Sequence, residues 1–460
     1  MIRKNRLTFF ILLAVLRSQY IPNNLFIYNK NEILFDSGKN WINNTIFGSL
    51  SFQQLVEQPS DGFSHNNRTT VIGLNFNQKS AFEIFGFQNV MHNNFYFYLY
   101  PRIVSDPNGF QAYSGIPRDI KRSGFNSGET HLSGIGFQNE NILFQIGRGS
   151  ENWAAGNDIE LVLSYDSPPY DYFKFQYIYQ NAKFIYFHGF LENKNNYNRY
   201  ITGRGIELTN KESMIIGFSE IVIYSGLNRP IDIGYMNPIS THLEIELNNR
   251  QNTLGTENGN AVWQISIDNL IGEKFRLSNN LIIDELVLDQ IELDSGKVNG
   301  VGWSSRIAYN FSIDEKIFIL FGSMSSIGTH TFRHGDGYNN FVQRNYPIGW
   351  EYGSDGYEYK IGCNYFNSNN LIIKTEIGNR FIGSNSVLKN HYDEYTNDYG
   401  SMPFPSGSID KTFFVNTYFQ WNYNPSTTLI LDLNYNINSI HNNQLFVQIG
   451  MTINLLKKNE

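Results

Sequence analysis

The sequence predicts an all-β fold, a transmembrane antiparallel β-barrel of about 18 strands with 16 to 20 open. Three observations lead there. Composition is the first: the 460 residues are 17% charged and 15% aromatic, with 29 Tyr, 36 Phe and 39 Gly. A charged share normally sits near a quarter, so few charges and many rings suit a sheet whose outer face meets something other than water. The second is strict period-two alternation over long runs; a membrane-crossing strand needs about 9–11 residues. The third is the polar face of those runs, which is rich in Asn, Gln and Ser where a soluble sandwich would carry Lys and Glu. An apolar outside, aromatic strand ends and a polar inside are the signature of a membrane barrel.

The chain opens with a leader-like stretch, 1–18. Arg3, Lys4 and Arg6 precede the apolar run Leu7 to Leu16, which is too short for a membrane helix and suits an export signal without a clear cleavage site. Residues 19–460 read as one barrel domain. Strand patterns fall at Thr45 to Gln54, Thr69 to Asn77, Ala81 to Gln88 and Phe95 to Val104. The stretch 105–130 is Gly-, Pro- and Ser-rich, includes Ile116-Pro117-Arg118, and reads as a long loop or plug. After it come hairpins: His131 to Gln138 with Ile142 to Arg148, Asp171 to Gln180 with Lys183 to Glu192, and Arg199 to Thr209 with Glu212 to Tyr224. Short polar turns separate each pair, a hairpin signal.

Alternation assigns the faces. Phe173, Phe175, Tyr177 and Tyr179 share one side of their strand, with Lys174 and Gln176 on the other. Phe413, Val415, Phe419, Trp421 and Tyr423 oppose Asn416, Gln420 and Asn422. Lys374, Glu376 and Arg380 line one face of Leu371 to Phe381. The last strand alternates through Leu445, Val447, Ile449, Met451, Ile453 and Leu455, the kind of terminal amphipathic strand that barrel-assembly machinery engages.

The most unusual loop chemistry lies between Gly147 and Phe175. Ser167-Pro168-Pro169 cannot continue a sheet ladder, because proline donates no backbone hydrogen bond. Within that loop Arg148, Trp153, Asn157, Asp158 and Tyr170 supply flat rings and fixed polar groups, the chemistry of a sugar site. The alternative is an Arg148–Asp158 loop ion pair with Trp153 as a girdle or plug anchor. Glu220 lies mid-strand, and a lipid-facing carboxylate is disfavoured. It is therefore expected in the lumen with Phe218 and Val222, either paired with an arginine such as Arg204 or Arg306 or contacting a hydroxylated ligand. The acidic run Asp284, Glu285, Asp289, Glu292 and Asp294 lacks EF-hand spacing and reads as a solvated loop. His330 and His334 lack the helical context of a metal pair. No metal and no cofactor is expected, and the lone Cys363 allows no internal disulfide.

Several stretches, in order, resemble the Wzi capsule-assembly family of outer-membrane proteins. They are Gly147-Arg148, Trp153 to Gly156, Leu161-Val162-Leu163-Ser164, Ser167-Pro168-Pro169-Tyr170, Ile216 to Tyr224, Gly234-Tyr235-Met236-Asn237-Pro238, Asn258 to Ile267, Leu281 to Leu286, Tyr346-Pro347-Ile348-Gly349 and Gly353-Ser354-Asp355. The family usually shows Trp-Gly-Pro-Gly where this chain has Trp153-Ala154-Ala155-Gly156. The resemblance implies an outer-membrane barrel with a small helical element at its periplasmic end. It also implies a lectin-like, non-enzymatic role: binding capsular or other surface polysaccharide and helping to retain it. The implied partners are that polysaccharide, outer-membrane lipid and, during insertion, the barrel-assembly machinery. A net charge of -7 excludes a basic nucleic-acid footprint. Two other classes stay open: a porin, with Lys374, Glu376, Arg380 and Arg306 as a charged constriction, and an outer-membrane hydrolase, for which no short motif fixes a triad.

Overall fold

The computed structural model describes residues 45–47, 66–110, 113–118, 124–250, 259–285, 290, 294, 298–314, 316–335, 337–367, 371–394, 402–424, 426–440 and 442–455. The expected leader and N-terminal helical element lie outside them. The strands are β1 (Asn66–Asn77), β2 (Phe82–His92), β3 (Phe95–Val104), β4 (Ser127–Gln138), β5 (Ile142–Gly149), β6 (Tyr170–Tyr179), β7 (Ala182–Lys194), β8 (Tyr197–Thr209), β9 (Met214–Leu227) and β10 (Asn260–Ile271). The second half holds β11 (Phe275–Glu285), β12 (Gly300–Ile313), β13 (Lys316–Ile327), β14 (Val342–Gln343), β15 (Tyr346–Pro347), β16 (Gly356–Asn367), β17 (Leu371–Ile382), β18 (Asp410–Asn424), β19 (Thr427–Asn438) and β20 (Gln444–Asn454). All but β14 and β15 join one 18-stranded antiparallel sheet. It closes where Val71 to Asn77 of β1 pair with Asn454 to Gln448 of β20. Closure leaves no open edge, which a lipid environment demands.

The two ends differ. At one end the turns are two to four residues long, as at 93–94, 180–181 and 210–213, and both termini of the sheet lie there. The other end carries the long connections, among them 105–126, 150–169, 228–259, 328–355 and 383–409, beside short ones at 78–81, 195–196 and 439–443. Outer-membrane barrels keep short turns in the periplasm and long loops outside, which orients the chain. The outer wall is apolar, with Phe218, Ile206, Ile361 and Ile449 half exposed or more. Near the periplasmic end a run of rings crosses four strands: Phe275–Tyr309, Tyr309–Phe311, Phe311–Phe318 and Phe318–Tyr365, with centroids 4.6, 5.9, 5.2 and 5.1 Å apart. That is an aromatic girdle at the membrane boundary. The strand count, the outer belt and the girdle bear out the expected fold and place the chain in the outer membrane.

The lumen is not empty. Residues from loops 150–169, 328–355 and 383–409 turn inward and share one apolar core with wall residues: Trp153, Leu161, Val162, Leu163, Ile348, Trp350 and Val387 pack with Phe187, Ile221 and Val262. Leu161, Val162 and Leu163 are thus plug core. Two stretches far apart in sequence meet here. The Trp350 N–H donates to the Leu161 carbonyl at 2.9 Å, and the Ser164 N–H donates to the Ile348 carbonyl at 3.0 Å. Gly349 permits that approach, because a Cβ would sit 1.9 Å from the Leu161 oxygen. Of the expected first strand, Thr45 to Gln54, only 45–47 is described. It lies inside the barrel against β8 and bridges to Trp153, with the Glu207 carboxylate accepting the Ile46 and Phe47 N–H groups at 2.8 and 3.1 Å.

Candidate functional site

The five loop residues expected to supply a sugar site, and Glu220 with them, are distributed over four places. Trp153 is fully buried. Its ring lies between Phe47 and Phe187, at 5.2 and 5.3 Å between centroids. Its Nε1–H donates to Glu151 Oε2 at 3.1 Å, and Lys174 Nζ lies 2.9 Å from the same oxygen. The loop around it is pinned to β11: Asn280 accepts the Ala155 N–H at 2.8 Å and donates to the Ala155 carbonyl at 3.0 Å. Gly156 carries φ +83°, a left-handed conformation that favours glycine. Trp153 is therefore the plug anchor, the plainer of the two expectations. Tyr170 is also enclosed, its hydroxyl accepting the Glu151 N–H at 3.2 Å. Neither ring offers a face to a sugar.

Asp158 faces a space between the plug and the β16–β17 wall, and Asn157 beside it is half-buried. Asp158 has an accessible side chain although barrel surrounds it. Burial pushes its carboxyl up, but Lys374, Lys360 and Arg306 more than offset that and hold it down to about 2. Its expected partner, Arg148, is elsewhere. Across the space Lys360 bridges Glu376 at 3.2 Å, and Arg380 Nε donates to Glu358 at 2.8 Å. The plug side is acidic. Asp166 and Glu351 are solvent-accessible although the barrel encloses them; Asp166 is pushed up to about 6 by that enclosure and by Glu160, and Glu351 to about 7 by the enclosure and by Asp166.

Glu220 corrects the face assignment. It points away from the lumen, as do Phe218 and Val222, while Ile221 and Ile223 pack into the lumenal core. The reason is a cover. Residues 228–250 fold down over the outer wall through the short helices α1 (Ile233–Met236) and α2 (His242–Leu247). Glu220 lies beneath it, 3.4 Å from Arg204, accepting from Trp263 Nε1 at 3.0 Å and from the His242 N–H at 3.1 Å. The expected pairing with Arg204 is present; the expected lumenal setting is not.

Arg148 borders an open cleft. It continues the outward row of Phe144 and Ile146 to the extracellular rim. Its Nε donates to the Thr130 carbonyl at 3.0 Å, and its Nη1 reaches Asp171 at 3.2 Å. The cleft measures about 440 Å³, and Arg118, Arg344 and Glu129 border it too. Arg344 occupies the tip of the β14–β15 hairpin, where Glu192 accepts its N–H at 3.2 Å. Its guanidinium lies 4.0 Å from Glu129. Burial and the neighbouring Arg148 lower its pKa from the ordinary value. Three guanidiniums against Glu129 and Asp171 leave the cleft positive, and the planar fork of arginine suits carboxylate or phosphate. Arg118 was visible only as part of a Pro-containing loop, and Arg344 as a neighbour of Tyr346-Pro347. No spacing in the sequence brings them to Arg148.

A closed 18-stranded barrel with an apolar belt, short periplasmic turns and long extracellular loops defines an outer-membrane β-barrel protein. Among solved structures, the chain is similar to Wzi of Escherichia coli, described as an outer-membrane protein involved in group 1 capsule assembly and a carbohydrate-binding β-barrel. The TM-score is 0.63 at 13% identity, covering 97% of this chain and 100% of that one. The chain also matches Pseudomonas aeruginosa OprD, with a TM-score of 0.47 and 9% identity over 86% of this chain and 97% of that one. A BenF-like porin from Pseudomonas fluorescens Pf-5 matches at 0.46 and 8% identity, over 85% and 99%. No family model matches the chain, and no curated protein matches it in sequence. The likeness to Wzi is one of fold, and at that level it bears out the family resemblance of the sequence.

Proposed function

We propose that this barrel binds surface polysaccharide at its extracellular rim and helps retain it there, without catalysing a reaction. The observation that carries this reading is the arginine cleft: an accessible, positively charged recess beside the inward-folded loops. Arg118, Arg148 and Arg344 would grip the acidic groups of a capsular or similar polysaccharide, with neutral hydroxyls left to Thr130 and Glu129. The carbohydrate binding described for Wzi supports the same reading. Deleting the gene in its host and comparing cell-bound with shed polysaccharide tests it; complementation with an Arg118→Ala, Arg148→Ala, Arg344→Ala variant localises the effect. Retention falls in the deletion and is not restored by the variant. Unchanged retention in the deletion strain would sink the proposal.

One observation favours a second reading, a gated porin. The space beside Asp158 has carboxylates on the plug side and Lys360, Lys374 and Arg380 on the wall, an arrangement that sets a transverse field on a small charged solute. Conductance in planar bilayers separates the two readings.

A further inference from the structure

The wall beneath the 228–259 connection is unlike the rest of the barrel's outer face. Arg204 and Glu220 lie half-way along the 13-residue β8 and the 14-residue β9 and point outward. Charges at that depth facing hydrocarbon are strongly disfavoured. Below them Phe218, Ile206 and Ile267 form ordinary apolar belt. The connection descends from the rim to cover the polar pair. The Asn237 carbonyl accepts from Arg204 Nη1 at 3.4 Å, and the Tyr235 carbonyl accepts from the Tyr186 hydroxyl at 3.2 Å. Tyr235 stacks on Tyr224 with centroids 4.3 Å apart and planes 12° apart, and Tyr224 stacks on Tyr200 at 5.0 Å.

The connection's other face carries four large apolar side chains, with Asn237 and Thr241 exposed between them and Asn237 Nδ2 donating to Ser240 at 2.8 Å. Ile233 and Ile239 are each 81% exposed, as much as any large apolar side chain among the described residues, and Ile231 and Leu243 are 51% and 48% exposed. The backbone at its tip is satisfied from within. Asp232 Oδ1 accepts the Gly234 N–H at 2.9 Å, Asn237 Oδ1 accepts the Ile239 N–H at 3.1 Å, and Glu220 accepts the His242 N–H. Internal satisfaction of this kind is what a segment in hydrocarbon requires. In water, four large apolar side chains would stand exposed for no gain.

We propose that residues 231–243 are embedded in the outer leaflet, where Ile231, Ile233, Ile239 and Leu243 contact lipid acyl chains and continue the apolar belt over the polar Arg204–Glu220 patch. The occupant is lipid because this face is continuous with the lipid-facing wall on either side of it. The connection is then a lateral shield, built into the membrane rather than projecting from it.

The test places single cysteines in a Cys363→Ala background at Ile233 and Ile239. References are Phe218→Cys on the lipid-facing wall and Asn443→Cys in the exposed β19–β20 turn. Each variant carries an environment-sensitive fluorophore and is reconstituted in phosphatidylcholine vesicles, with folding checked by heat-modifiable gel mobility. Doxyl-labelled phosphatidylcholine is expected to quench positions 233 and 239 as it quenches 218, while iodide quenches them several-fold less than 443. Iodide quenching equal to that at 443 would place the segment in water and overturn the proposal. Protection from both quenchers would show a protein partner on this face and overturn it equally.

Discussion

Trp153 and Arg148 belong to one loop in sequence and to two environments in the fold, and single substitutions should separate them. Trp153 is enclosed by Phe47 and Phe187 and bonded to Glu151. Replacing it with alanine leaves a cavity and removes a donor from a buried carboxylate. Losses for buried Trp or Phe to Ala run to about 3–5 kcal/mol, so Trp153→Ala should lower the denaturant midpoint of the refolded barrel clearly. Arg148 has a partner whose side chain is 68% exposed, and such pairs contribute about 0–1 kcal/mol. Arg148→Ala should leave the midpoint nearly unchanged while reducing polysaccharide retention. Equal stability losses in the two variants would contradict the division of roles.

At the element scale, the hairpins were legible because alternation is local: a period of two needs only neighbouring residues. Phe95–Val104 has the expected bounds, the inward row Lys174 and Gln176 opposes Phe173 and Phe175, and Lys374, Glu376 and Arg380 line the lumen as expected. What failed had a tertiary cause. The face of β9 was assigned from the rule that carboxylates avoid lipid, and the rule holds, but a cover formed by the later residues 228–250 satisfies it instead. The cleft was illegible because Arg118, Arg148 and Arg344 come from three distant connections. The Glu220 correction is itself testable. Removing one partner of a buried ion pair strands the other, at about 3–5 kcal/mol. Glu220→Ala should cost on that order in equilibrium unfolding, with the α2 N-terminus losing its acceptor as well. Adding Arg204→Met should cost less than the sum of the two single changes, since no stranded charge remains.

For the whole molecule, the question is what holds the lumen closed. Loops 150–169 and 328–355 are joined by the Trp350–Leu161 and Ser164–Ile348 backbone bonds, yet they also oppose carboxylates. Asp166 and Glu351 have their pKa values raised to about 6 and about 7, from 3.8 and 4.5, by enclosure and by neighbouring acids. A carboxyl whose folded pKa is raised holds its proton longer in the folded state than in the open one. Its stabilisation is therefore complete below the open-state value and is lost as pH rises through the folded value. The plug should be tightest near pH 4 and should loosen progressively up to about pH 7, as charge builds between the two loops. In planar bilayers the barrel should be silent at pH 5 and show intermittent conductance at pH 8. Glu351→Gln removes one of the two charges that build at the loop contact and should keep the barrel silent at pH 8. The same steady conductance at both pH values would mean that the loops do not gate the lumen, and would favour an open porin. Silence at both would mean that the apolar core of Leu161, Val162, Ile348 and Trp350 outweighs the repulsion. The rim cleft would then be the accessible site that the polysaccharide reading needs.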